Sequence, residues 1–274
     1  MSVRVAPSWF ARSLAAVFPA TSFLLCVLIA AQVGAQDTVE SFKNARGAAV
    51  RYLVTLPPGP VEGIVILFTG GDGRLELDRK PEPGSNNFLV RSRRDFAGRG
   101  FVAALPDAPG DRGPDGLVGW RTSRGHMADI GMLARRLRAR WPVPVWLIGT
   151  SRGAISAAAA GAQVPGIAGV VLTASVTLPS RRRPQTVFDA PIQQISVPAL
   201  VVHHRSDACR VSPVNGAGRL FARLSASTLR EIRMIDGGRP AASGPCRGLS
   251  AHGFYGVERK TVREIVNWIG IFKR

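Results

Sequence analysis

The stretch Val145-Trp146-Leu147-Ile148-Gly149-Thr150-Ser151-Arg152-Gly153, with the alanine-rich run to Ala162 behind it, decides the fold. Val145 to Ile148 is a continuous apolar run and reads as a strand buried on both faces. Gly153 to Ala162 is mostly alanine, which favours helix and lets that helix lie close to a sheet. Ser151 therefore sits where a buried strand turns sharply into a helix. Such a turn forces its middle residue into a strained backbone conformation, and glycines at 149 and 153 keep the neighbouring chain from clashing. The hydroxyl is then held out above the sheet edge as a nucleophile. The Arg152 amide starts the helix and points toward an oxyanion developing on the attacked group.

The rest of the chain alternates strand and helix. Val50 to Leu56 reads as an early, partly exposed strand, and Gly63 to Phe68 as a buried central one that ends in the turn Thr69-Gly70-Gly71-Asp72-Gly73. A helix is expected from Phe88 to Gly100, closed by Gly98 or Gly100. A strand follows from Phe101 to Leu105, then a Pro/Gly/Asp loop from Pro106 to Gly119. Ser123 caps the next helix, whose Ile130, Leu133, Leu137 and Trp141 recur at helical spacing until Pro142 and Pro144 stop it. Gly169 to Thr173, Ala199 to Val202 and Leu229 to Ile235 read as further strands. Val262, Ile265, Val266 and Ile269 mark one face of a closing helix. No internal repeat is present. This order predicts one α/β domain with a mostly parallel central sheet and helices on both faces. The segment from Ser175 to Pro198 carries Arg181-Arg182-Arg183 and is too short for a large lid.

A serine at such an elbow takes its partners in the chain order serine, acid, histidine. Asp207 follows the strand Ala199 to Val202, and His252 lies between the last strand and the closing helix. Both fall at the carboxyl ends of strands, where open parallel sheets bind their ligands. His252 is expected to take the Ser151 proton, and Asp207 to orient the imidazole. Asp189 and Asp236 are rival acids that fit the strand-end position less well. Gly71 is expected to give the second oxyanion amide, with Asp72 its alternative, because a glycine lets the backbone approach a substrate closely. His203 and His204 are adjacent on a strand and point to opposite faces, so they read as packing residues and no metal site is assigned. His126 also reads as structural.

The chain has 274 residues and three cysteines. Arg4 and Arg12, the apolar run Phe23 to Ala31 and the small residues Val33-Gly34-Ala35 form a signal-peptide pattern over residues 1–35. The apolar run is shorter than the roughly 20 residues a spanning helix needs. No stable membrane insertion is expected after cleavage, and the mature domain, residues 36–274, is expected in the periplasm or outside the cell. Leu25 before Cys26 does not fit a lipoprotein signal. Cys209 and Cys246 are then left as a pair, and in an exported chain an even count favours a disulfide. It would tether the acid loop to the histidine loop and contribute about 4 kcal/mol through loop-closure entropy. The formal charge is +18. The arginines are scattered, without interleaved aromatics or a nucleic-acid motif, so no nucleic-acid partner is expected. A weak attraction to anionic envelope surfaces follows from the charge alone.

Together, Thr69-Gly70-Gly71, Gly149 to Gly153, the run Val201 to Asp207 and Ala251-His252-Gly253 make the chain resemble the α/β-hydrolase superfamily from about Val50 onward. It is most similar to small exported bacterial serine hydrolases of the dienelactone-hydrolase and prolyl-oligopeptidase-like groups. The resemblance implies hydrolysis through an acyl-enzyme, with no cofactor and a small ester-like substrate. Many members carry His-Gly where this chain has Thr69-Gly70. A carboxylesterase is the expected activity. The alternatives are a peptidase or thioesterase on the same residues, or a non-catalytic envelope-binding protein on this scaffold. The sequence leaves the oligomeric state undefined.

Overall fold

In the computed structural model the described residues are 36–80 and 82–272, together with Ser2. The expected signal segment therefore lies, Ser2 apart, outside the described residues.

Eight strands form one sheet: β1 (Gln36–Lys43), β2 (Ala49–Leu56), β3 (Gly63–Phe68), β4 (Phe101–Pro106), β5 (Val145–Thr150), β6 (Gly169–Thr173), β7 (Ala199–His204) and β8 (Arg230–Ile235). Their order is β1-β2-β4-β3-β5-β6-β7-β8. The β1–β2 and β2–β4 pairs are antiparallel, and every later pair is parallel. The apolar runs read from the sequence as β3, β5 and β6 are the inner strands, with every residue buried.

Side chains alternate across the sheet, as the two-residue period of a strand requires. Ile64, Ile66 and Phe68 pack into one core with α2 (Arg124–Arg140), α3 (Gly153–Gln163) and α4 (Val214–Arg223). Val65 and Leu67 pack into the other with α1 (Phe88–Ala97) and α5 (Glu258–Gly270). Helices thus cover both faces, as expected. Gly161 of α3 marks how closely that helix lies on the sheet, since a Cβ there would sit 2.3 Å from Val170 Cγ1.

Several boundaries differ from the sequence reading. β1 was not expected, because Asp37, Glu40, Ser41 and Lys43 hide its period; it is an edge strand open to solvent on one side. α4 was also missed: Gly216 and Gly218 lower its propensity, and its start at Pro213 has no side-chain cap. β7 runs two residues further, through His203 and His204. α1 ends at Ala97, with Gly98 as its C-cap. Ser123 caps α2 by accepting from the His126 amide at 3.1 Å. Among the described residues no helix is long and apolar enough to cross a membrane.

Candidate active site

Ser151 occupies the turn between β5 and α3 with φ +56, a conformation an L-residue adopts only under constraint. The constraint is visible on both sides. Its amide donates to Thr173 O on β6 at 2.9 Å, and its carbonyl accepts from Ala154 N at 3.2 Å. A Cβ on Gly149 would lie 2.4 Å from Gly153 O, and one on Gly153 would lie 1.9 Å from Phe68 O. Only glycine fits at either position, which is the physical content of the Gly-x-Ser-x-Gly pattern. Arg152 has helical dihedrals, and no side chain caps α3. The amides of Ala154 and Ile155 are spent on Ser151 O and Arg152 O, which leaves those of Arg152 and Gly153 for an anion.

Asp207 and His252 meet beyond the carboxyl ends of β7 and β8. Asp207 Oδ2 accepts from His252 Nδ1 at 2.8 Å, and Oδ1 accepts from the Cys209 amide at 2.9 Å. His203 also reaches Oδ2, at 3.3 Å, and shares the same ring nitrogen with Ser212 O at 3.2 Å. Burial alone would raise the Asp207 carboxyl. The hydrogen bonds from His203 and His252 outweigh it and hold the group down to about 2. An ionised carboxylate only accepts, so His252 Nδ1 carries the proton and Nε2 presents a lone pair. That Nε2 is buried and has no hydrogen-bond partner. Among the described residues no hydrogen bond joins it to Ser151 Oγ. The rival acids are engaged elsewhere. Asp189 closes a capping box with Thr186, and exposed Asp236 pairs with Lys260 at 2.5 Å.

The histidine loop is held from three directions. Arg91 of α1 donates to Gly248 O at 2.8 Å and to Gly253 O at 2.9 Å, and pairs with Glu258 at the start of α5. Ser250 Oγ donates to Arg247 O at 2.8 Å. Cys209 and Cys246 are bonded, with their Cα atoms 4.6 Å apart, so the acid loop and the histidine loop are joined as expected.

The turn after β3 lies against Ser151: a Cβ on Gly70 would be 3.0 Å from Ser151 Cβ. Gly71 has φ +64 and faces open space. Beneath the turn is a buried arginine with no carboxylate bonded to it. Arg121 Nη2 donates to Thr69 O at 3.0 Å and Gly71 O at 3.4 Å, and its Nη1 donates to Ser156 Oγ at 2.9 Å. Burial, then the nearby charge of Arg152, lowers the Arg121 guanidinium to about 9, so it stays charged at neutral pH. His126 completes this cluster through Ser156 Oγ at 3.0 Å, and burial lowers its imidazole to about 3.

No protein-family model matches the chain, and no curated protein sequence matches it. Solved structures do. An esterase from Pyrococcus furiosus superposes with a TM-score of 0.61 at 12% identity, covering 87% of this chain and 90% of that one. An α/β serine hydrolase without a lid from Xanthomonas campestris gives 0.56 at 15% identity, covering 84% and 94%. The esterase domain of a Rhodothermus marinus protein gives 0.56 at 16% identity, covering 84% and 96%. This chain has the α/β-hydrolase fold. In it Ser151 occupies the turn between β5 and α3, and Asp207 and His252 follow β7 and β8. No large lid interrupts the fold here: residues 175–198 form a loop with two short 3-10 turns at Val187–Asp189 and Ile192–Gln194.

Two residues escaped the sequence reading. His203 reads as packing from the sequence, yet it reaches Asp207 Oδ2 at 3.3 Å; its position four residues before Asp207, at a strand end, is the available signal. Arg121 had none, because nothing local distinguishes a buried arginine from the many exposed ones.

Proposed function

We propose that this protein is an exported serine hydrolase that cleaves carboxylic esters through an acyl-enzyme. The observation that carries the reading is Ser151 at φ +56 in the turn after β5, at the same carboxyl edge of the sheet as a buried Asp207–His252 pair whose Nε2 is unspent. Ser151 Oγ attacks the acyl carbonyl carbon while His252 Nε2 takes its proton. The amides of Arg152 and Gly71 receive the oxyanion, and Arg121 holds the Gly71 turn by its carbonyls. As the tetrahedral intermediate collapses, His252 gives the proton to the leaving alcohol. Water then attacks the acyl carbon while losing a proton to His252; collapse breaks the Ser151 Oγ–acyl bond, and His252 returns the proton to Oγ as the acid leaves. Asp207 stays ionised throughout and stabilises the imidazolium.

Esters rank ahead of amides and thioesters because two of the three structural neighbours named above are esterases. Export rests on residues 1–35 of the sequence, and the bonded Cys209–Cys246 pair agrees with an oxidising compartment. Purified protein should hydrolyse 4-nitrophenyl acetate or butyrate, and Ser151→Ala should lose that activity by at least about 10³-fold. Equal rates for the two proteins overturn the proposal. Anionic-vesicle binding without any turnover would favour the non-catalytic envelope reading instead.

A further inference from the structure

We propose that the cleft beside Ser151 selects an ester bearing a carboxylate of its own, on the side of the substrate that lies between Arg183 and Arg247. This rests on the hydrolase reading above and names the substrate class for it.

The cleft has a volume of about 600 Å³ and opens on Gly70 and Gly71, the turn that touches Ser151. Its wall is polar. Arg74, Arg183 and Arg247 line it with Asn86, Asn87 and two serines, and Leu249 is its one large apolar side chain. Such a lining does not suit a long alkyl chain, which needs apolar surface to leave water. Asp72 is the single carboxylate in the wall, so three guanidiniums face one acid.

The guanidiniums are not equally free. Arg74 is occupied by Glu76 at 3.4 Å and Pro114 O at 3.3 Å. The guanidiniums of Arg183 and Arg247 have no hydrogen-bond acceptor or carboxylate partner among the described residues, although the backbone amides of both residues are bonded. Arg183 is also fixed in place by its own backbone. Arg152, the residue after the nucleophile, donates to Arg183 O at 2.8 Å and to Gln185 O at 3.0 Å. Gln185 Nε2 in turn holds Thr122 Oγ1 at 3.0 Å. The backbone of the arginine loop is thereby pinned to the elbow, and the Arg183 side chain enters the cleft wall from that fixed point. The positive field is felt inside the site: burial, then Arg183, holds the Arg152 guanidinium below its ordinary value. Cations gathered there in excess of acids repel one another, and an anionic substrate group relieves that repulsion while making charge-assisted hydrogen bonds.

The test pairs two substrates of equal acyl length, mono(4-nitrophenyl) adipate and 4-nitrophenyl hexanoate. The wild type should turn over the adipate with a kcat/KM about tenfold or more above the hexanoate. That ratio should fall as salt rises. Arg183→Ala and Arg247→Ala should each lower the ratio several-fold, chiefly through KM for the adipate, whereas Arg263→Ala on the exposed face of α5 should leave it unchanged. Because a ratio is read, a partial loss of folded protein does not imitate the effect. A ratio near one or below in the wild type, with Ser151 still labelled by a fluorophosphonate, overturns this inference and leaves the hydrolase reading standing. No turnover of either ester and no labelling overturns both.

Discussion

Gly153→Ala probes the packing that makes the elbow. The added Cβ would lie 1.9 Å from Phe68 O, 2.6 Å from Phe68 C and 2.7 Å from Thr69 O. All three are backbone atoms at the end of a fully buried strand, so no side chain can swing away. Restoring van der Waals distance needs roughly 1.5 Å of movement between α3 and β3. Overpacking of this kind costs about 1–3 kcal/mol, and a clash against rigid backbone belongs at the upper end. For a domain of this size about 3 kcal/mol corresponds to a fall in Tm of roughly 6–12 °C. The same displacement pushes the turn that begins at Thr69 away from Ser151, and a shift of about 1 Å in a catalytic group costs on the order of 10²-fold in rate. Gly218→Ala is the control. It lies on α4, is exposed and has nothing within 4 Å of its added Cβ, so it should gain about 1 kcal/mol from helix propensity. Calorimetry or urea unfolding measures both variants, and ester hydrolysis measures the site. A Gly153→Ala protein within about 0.5 kcal/mol of wild type would refute the packing argument.

Asp207 contributes to stability with a defined pH dependence. Its folded carboxyl is depressed to about 2, so its contribution is present above the ordinary carboxylate range and is lost as pH falls from about 4 to about 2. The stability gap between wild type and Asp207→Asn should be about 2 kcal/mol near neutrality and close by pH 2, read by urea unfolding; a pH-independent gap contradicts the assignment. Arg121→Met removes a buried charge that has no bonded carboxylate, so stability should fall by less than about 2 kcal/mol. Its kcat should nevertheless drop about tenfold or more, because the Thr69 and Gly71 carbonyls lose their anchor. Equal losses in stability and rate would argue for a purely structural arginine. Cys246→Ser opens a loop of 37 residues and should cost about 4 kcal/mol in thermal or urea unfolding; an unchanged midpoint would mean the bond is not formed.

Much of this molecule was legible because its inner strands are buried on both faces. β3, β5 and β6 are apolar runs bounded by Gly or Pro, and no other local structure satisfies them. β1 lies at the sheet edge with polar residues toward water, and α4 carries two glycines, so neither announces itself. The strained turn at Ser151 was readable for a steric reason: Gly149 and Gly153 stand where any Cβ meets backbone. Asp207 and His252 were readable as strand-end residues in the right order, and the 2.8 Å contact between them separates Asp207 from Asp189 and Asp236. Arg121 and His203 were not, since their importance lies in contacts between segments far apart in the chain. A residue's own neighbours in sequence carry no record of those contacts.

The central claim is that Ser151 is a nucleophile activated by His252. A fluorophosphonate probe, followed by digestion and mass mapping of the labelled peptide, tests it most directly. One adduct is expected, on Ser151 in the peptide containing Gly149 to Gly153, absent from Ser151→Ala and strongly slowed in His252→Ala. Labelling of another serine, or undiminished labelling of Ser151→Ala, would contradict it.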